Sequence, residues 1–422
     1  MTVAGGSPST VAPIRPTSSF GVFRHRQFSW FFIAASISNG ASWMQTIAVP
    51  ALVFDLTGQA SWLGYVSVAG LVPGVVLTPY AGVLADRVSR RLVLICTQTL
   101  QMASTFAMWG LYVGHSLTPW RVLALSLVAG VGTGLQISAW QSFVPSLVPV
   151  GDILHAVKLN SMQFTLARAI GPATAGLVVH TWGVGAAILF NAVTYPLVIA
   201  VLLICRPREL PRKVAPEPVL TALAGGARYV WVNKPLRLGV ILAFATGTCC
   251  QSLQHVASAI AKRMYGHPSV DNAGLLTALG IGAVATAAVT AAFGDRFRRS
   301  QQLTFGLGVY TLSTAVIAST SSYRVGLIAY GASGIAHLTT AVALNTLMQG
   351  TVAEEMRGRV VSYHLLGILG GIPLGAFVLG RLGDAIGMRQ AVAIDAAVIA
   401  GLSILLLASG WLRLTDTPGP EG

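Results

Sequence analysis

Few side chains in this sequence can do chemistry, and the densest group of them is Gly82-Val-Leu-Ala-Asp86-Arg87-Val-Ser-Arg90-Arg91. A glycine lets two helices approach closely. Asp86 can pair with arginines or rest on the positive N-terminal end of a neighbouring helix. That is the chemistry of a contact that forms and breaks. The alternative is that these charges only fix orientation in a membrane, a task that needs no aspartate. A second, degenerate copy, Gly294-Asp295-Arg296-Phe-Arg298-Arg299, carries Ala291 where the first has Gly82.

Within the apolar stretches the ionisable residues are Arg168, Asp395 and the histidines His255, His337 and His364. Each charge there costs at least about 2.5–3.5 kcal/mol unless it faces a cavity or a partner. Arg168 can attract an anionic substrate or pair with backbone carbonyls. Asp395, the one carboxylate well inside such a stretch, is a candidate proton carrier, with a structural role as the alternative. The histidines titrate near neutrality and can relay protons or simply hydrogen-bond. No His-Glu-x-x-His, paired-aspartate metal motif, nucleophile elbow or Gly-x-x-x-x-Gly-Lys loop is present. No metal site, cofactor or ATP drive is therefore expected. A polytopic membrane enzyme stays as a rival reading, and it would need acids and histidines clustered at one membrane face.

The elements that must position these residues follow from composition. Of 422 residues, 54% are apolar and 9% charged, against roughly 25% charged in a soluble protein. Such a chain sits in lipid. Twelve segments long enough to span a bilayer lie at about 28–54, 62–84, 92–113, 119–144, 155–180, 184–205, 236–261, 272–293, 302–321, 323–349, 359–381 and 388–412. The predicted organisation is a disordered tail over 1–27, a six-helix bundle over 28–205, a central loop over 206–235, a second six-helix bundle over 236–412 and a tail over 413–422. No secretory signal pattern precedes the first segment. In the central stretch Leu220, Leu223, Ala227, Val230 and Trp231 can share one face of a short surface helix; an irregular linker is the alternative. The four cysteines have neither metal-ligand nor disulfide spacing.

The net charge of +14 looks at first like a nucleic-acid binder's. Placing the charges removes that reading. With the N-terminus cytoplasmic, 20 Lys and Arg fall on the cytoplasmic side and 6 on the other, with Arg168 inside a span. This is a positive-inside bias, and it puts both termini in the cytoplasm. The halves also repeat. Asp86-Arg87 recurs as Asp295-Arg296, and Gly171-Pro172 is echoed by Ile372-Pro373. Two six-helix repeats around a central loop suggest a transporter with its site between the halves.

The Gly82–Arg91 loop in this setting resembles the signature of the major facilitator superfamily, and the resemblance covers nearly the whole chain. Arg168, Gly171, Pro172 and Gly176 are similar to the helix-five motif of its efflux antiporters, with generic small-residue packing as the alternative. Ser38-Asn39-Gly40-Ala-Ser42-Trp43-Met44-Gln45, Val53-Phe-Asp55-Leu-Thr57-Gly58 and Arg357-Gly-Arg359-Val resemble its secretion-effector branch, which includes macrolide and enterobactin-type siderophore exporters. The resemblance implies that Asp86 contacts the start of the eleventh helix when the cytoplasmic face is closed. It implies that helices one, four, seven and ten line the cavity, so that Asn39, Gln45, Gln136, Gln141, Gln251, His255, His337 and Asn345 are candidate cavity residues. The chain departs from the branch in lacking an acid near Ser42 and an arginine in Leu127–Gly130. The expectation is a monomeric inner-membrane exporter of amphipathic small molecules, working by alternating access and coupled to protons. An importer of the same fold is the alternative.

Overall fold

The computed structural model describes residues 19–208, 219–293, 296–352 and 354–416, together with all but a few of their side chains. Every regular element is helical and no strand occurs among the described residues. A short 3-10 turn, Ser19–Arg24, leads into α1 (Arg26–Thr57), α2 (Ser61–Arg87), α3 (Arg90–Val113), α4 (Pro119–Phe143) and α5 (Ile153–Ile204). Then come α6 (Val219–Val232), α7 (Lys234–Ala245), α8 (Ala257–Tyr265), α9 (Asn272–Phe293), α10 (Arg299–Ser319), α11 (Tyr323–Gly350), α12 (Glu354–Ala385) and α13 (Met388–Ala408). Eight helices among the described residues are long and apolar enough to cross a membrane.

Local chemistry explains most boundaries. Gly58 closes α1 in the left-handed region at φ 66°, which a glycine adopts without strain. Ser89 and Thr118 cap α3 and α4 with their hydroxyls, and Pro119 occupies the first turn of α4. The predicted fifth and sixth segments run together as α5, interrupted at Gly183 (φ 81°, ψ 172°). Helical backbone persists through Pro172, so the break falls at the glycine and not at the proline.

The predicted segment 236–261 is not one helix. α7 ends at Ala245, a π turn spans Thr246–Gln251, and a 3-10 turn spans Ser252–Gln254 before α8 begins. The hydroxyls of Thr246, Thr248 and Ser252 bond back to the carbonyls of Leu242, Phe244 and Thr248, which competes with the regular ladder. A Cβ on Gly371 would lie 2.5 Å from the Phe244 carbonyl, so α12 lies directly against this broken stretch. A helix does form in the central stretch, as α6. Val230 is buried against the start of α12 while Trp231 stays exposed.

Packing runs α1 on α5, α2 on α4, α9 on α11 and α10 on α13. Two long contacts join the residues before the central stretch to those after it: α2 lies along α12, and α5 along α9. Glycine makes these close approaches possible. A Cβ on Gly64 would lie 2.5 Å from the Phe377 Cα, and one on Gly176 would lie 2.7 Å from the Ala273 Cβ.

Candidate functional site

Between these helices lies a cavity of about 800 Å³. Its described lining comes from α1 to α5, with His255 as the sole contribution from the later residues. The broken α7–α8 stretch is what brings His255 there, 3.3 Å from the hydroxyl of Ser67 on α2. Gln141, Val157, Ser161 and Phe164, at the α4–α5 end, are exposed, whereas Val49, Leu63 and Ser67 at the other end are buried. The cavity therefore opens towards the α4–α5 turn and is shut towards the α1–α2 turn.

Among the described residues no Asp, Glu, Lys or Arg lines it. Its polarity comes from amides and hydroxyls held by one another. The amide of Asn191 donates to Gln45 Oε1 at 2.5 Å, Thr105 donates to the same oxygen at 3.4 Å, and the Ser42 hydroxyl donates to Asn191 Oδ1 at 3.4 Å. On α3 and α4, Gln101 and Gln98 donate to Gln136 Oε1 at 2.6 and 3.3 Å. Trp140 Nε1 donates to Asn160. The Asn39 amide nitrogen is buried with no partner among the described residues. Pre-paired amides beside Val49, Leu63, Val66, Ile137 and Phe164 make a surface for a molecule with both apolar bulk and a few polar groups.

The shut end is held by an ionic clasp. Asp384, at the end of α12, accepts the backbone N–H groups of Ala60 and Ser61 at 2.8 Å each, which puts a carboxylate on the positive end of α2. Arg263 of α8 pairs with the same carboxylate at 2.9 Å and also donates to the carbonyls of Gly58 and Gly383. Beside it, Lys262 pairs with Asp55 of α1 at 2.6 Å, and Ser269 donates to the other oxygen of that carboxylate. The Arg263 guanidinium lies 5.4 Å over the Phe54 ring. Asn272 ties the start of α9 to the Ile47 carbonyl. Behind the clasp, burial pushes the Tyr265 hydroxyl up to about 12 against the pull of Arg389, so it stays neutral and packs edge-on to Tyr323.

The sequence-predicted residues divide unevenly over this geometry. Asn39, Gln45, Gln136, Gln141 and His255 lie together in the cavity. Gln251, His337 and Asn345 do not line it. Gln251 is buried in the π turn, His337 sits 3.2 Å from the Tyr310 hydroxyl between α10 and α11, and Asn345 bonds Gln349 on its own helix. Helical position alone does not say which side of α7 or α11 turns inward, and the π turn rotates the first of these. Asp395 is buried on α13 in contact with Cys249, away from the cavity, with Oδ2 unpaired among the described residues.

The signature motif is mostly helical rather than a loop: its residues 82–87 finish α2 and Arg90 and Arg91 open α3, where they bond the carbonyls of Ser142 and Leu203. The side chains of Gly82, Asp86 and Arg87 lie outside the described residues, as do Arg168, Arg357 and the whole of Asp295. In the second copy Arg296 stacks 5.0 Å over Phe293, Arg298 is exposed, and Arg299 donates to the Thr415 carbonyl. In α5, Gly171 faces the Trp43 side chain, Pro172 is buried beside it, and Gly176 faces α9.

The clasp is the part sequence reasoning missed. Its signal was nonetheless present. Gly380-Arg-Leu-Gly-Asp384 has the glycine-to-aspartate spacing of Gly82-Val-Leu-Ala-Asp86. A Cβ on Gly380 would lie 2.5 Å from the Ala60 carbonyl, so here too the glycine brings the helices together and the aspartate joins them.

A family profile described as transmembrane secretion effector matches residues 17–417. Among curated relatives, the multidrug efflux pump Tap of Mycolicibacterium fortuitum is 28% identical over 89% of this chain and 92% of its own length. The staphyloferrin A transporter of Staphylococcus aureus is 26% identical over 44% of this chain and 47% of its own length. Among solved structures, the nucleoside transporter NupG superposes with a TM-score of 0.72 at 14% identity, covering 90% of this chain and 98% of that one.

Proposed function

The chain belongs to the transmembrane secretion effector family and is a multi-pass transporter of the major facilitator kind rather than an enzyme; from that premise we propose that it exports amphipathic small molecules out of the cytoplasm by alternating access. The observation that carries the reading is the cavity: large, free of fixed charge among its described residues, amide-lined, open at one end and clasped at the other. In this reading the chain makes twelve spans in two six-helix bundles, both termini are cytoplasmic, and the excess of Lys and Arg marks that side. The cavity then faces the cytoplasm, where an exporter loads, and the Asp384 clasp closes the outer face. Export is favoured over import by the efflux pump that is similar over most of the chain.

Alternating access requires the two faces to close in turn. The antiparallel pair α2 and α12 is suited to this. At the outer end Asp384 of α12 caps α2. At the inner end, in our reading, Asp86 of α2 caps α12 when the cavity turns outward. Each aspartate stabilises one state, and the small difference between them sets the equilibrium. We place the coupling proton on His255, the only histidine among the described lining residues, which touches α2 from the opposite half.

Everted membrane vesicles test the direction. Export predicts that an amphipathic cationic dye accumulates inside everted vesicles when a proton gradient is imposed. It predicts no such accumulation in vesicles carrying an Asp86→Asn variant at equal abundance. Accumulation only in right-side-out vesicles would refute export and support the importer reading.

A further inference from the structure

At the end of the molecule opposite the clasp, a second cavity of about 410 Å³ is walled by Arg24, Arg26, Arg206 and Arg208 together with His25. Three separate stretches meet there: the turn before α1, the α4–α5 connection, and the chain as it leaves α5. The one described carboxylate beside it, Asp152, is 3% exposed and already engaged by Arg24 at 2.9 Å and His25 at 2.8 Å. Arg26, Arg206 and Arg208 have no carboxylate partner among the described residues. Backbone N–H groups hold the last two in place. Arg206 N–H donates to Gln27 Oε1 at 3.0 Å and Arg208 N–H to the Ser146 carbonyl at 2.9 Å.

Four guanidinium groups beside one described carboxylate, itself already paired, repel one another unless an anion sits among them. Guanidinium groups match phosphate oxygens in pairs, and basic pockets beside spanning helices on the cytoplasmic side suit anionic headgroups. The helices leaving the pocket carry apolar side chains outward. Trp30 and Ile33 of α1 are 45% and 56% exposed, and Leu203 and Ile204 of α5 are 58% and 60% exposed. We propose that this pocket binds the phosphate of an anionic phospholipid, with the acyl chains lying along α1 and α5. The proposal rests on the chain's spanning a membrane and is independent of what it transports.

Native mass spectrometry of the purified full-length protein tests it, with phosphatidylglycerol, phosphatidylcholine and inorganic phosphate as probes. The wild type should retain phosphatidylglycerol in preference to phosphatidylcholine. The variant Arg26→Gln/Arg206→Gln/Arg208→Gln should lose affinity by about five-fold per guanidinium, or about a hundred-fold in all. A variant losing the same charge elsewhere, Arg296→Gln/Arg298→Gln/Arg413→Gln, should retain the lipid, and millimolar inorganic phosphate should not displace it. Equal loss in both triple variants would overturn the site in favour of diffuse attraction. Displacement by inorganic phosphate would overturn the lipid and assign the pocket to a soluble phosphate-bearing anion. If the glutamine variant fails to elute as a monodisperse species, the triple lysine variant decides. It keeps the charge and loses the paired geometry, so retention equal to the wild type would overturn guanidinium recognition, and weakened retention would support it.

Discussion

Replacing Asp384 by asparagine is the sharpest perturbation of the clasp. The carboxylate accepts the backbone N–H groups of Ala60 and Ser61 at the start of α2 and one guanidinium, and the ion pair is only partly exposed, 30% on Arg263 and 22% on Asp384. Asparagine offers one carbonyl oxygen, so one N–H is retained as a neutral bond and the other meets an amide donor. Hydrogen bonds to a charged group contribute about 1.5–3 kcal/mol and neutral ones about 0.5–1.5 kcal/mol. The two changes then remove about 1 and about 2 kcal/mol. Loss of the partly exposed pairing with Arg263 adds less than about 1 kcal/mol. A total of about 3 kcal/mol shifts the ratio of closed to open outer face by about 150-fold. Nitroxide labels at Ser116 and Ser322, both exposed on the clasp side, report this as a distance distribution by double electron–electron resonance once the four native cysteines are replaced by serine. The variant should move most of the population to a longer distance while remaining monodisperse. An unchanged distribution in folded protein would refute the assignment of Asp384 as the outer latch.

Other expectations follow from the same geometry. Asp55→Asn breaks a pair whose side chains are 51% and 44% exposed, so the same labels should shift by less than about five-fold in population; a shift as large as that of Asp384→Asn would mean that burial does not set the ranking. Gly64→Ala and Gly130→Ala both press a methyl onto backbone, Gly64 onto Phe377 across the two halves and Gly130 onto Gly70 between neighbours α2 and α4. Each should lower thermal stability by about 1–3 kcal/mol, but only Gly64→Ala should also open the outer face, as read by the label distances. Gln45→Leu strips the shared acceptor of Asn191 and Thr105 and should weaken dye binding about ten-fold, or about 1–2 kcal/mol, measured by fluorescence titration; unchanged affinity would move the binding site out of this cavity. His255→Gln should leave dye binding within about two-fold while abolishing stimulation of transport by a pH gradient. Persistence of that stimulation in His255→Gln and its loss in Asp395→Asn would transfer the proton to Asp395.

Helices were legible because lipid demands them: a backbone without water must satisfy itself, and long apolar runs have one way to do so. That reasoning located α1 to α4 and α9 to α13 within a few residues of their observed ends. It failed at 236–261, where Thr246, Thr248 and Ser252 divert carbonyls from the ladder. Hydropathy is blind to this because the apolar average survives the break. The break then decides the site, since it brings His255 into the cavity and leaves Gln251 buried behind it. The clasp was hidden for a related reason. Asp55, Lys262, Arg263 and Asp384 are separated by up to 329 residues, and singly each reads as a solvated residue at a helix end. Only the antiparallel run of α2 along α12 turns Gly380-Arg-Leu-Gly-Asp384 from a loop boundary into a counterpart of Gly82-Val-Leu-Ala-Asp86. Both helices end in a glycine followed four residues later by an aspartate, and the end of α12 lies on the positive start of α2. With Asp86 capping α12 in the outward state, as proposed above, two carboxylates compete to cap opposite ends of one helix pair. Its conformational balance is then set by a difference between two similar local terms, which is why substitution of either aspartate should move the equilibrium further than any single exposed ion pair can.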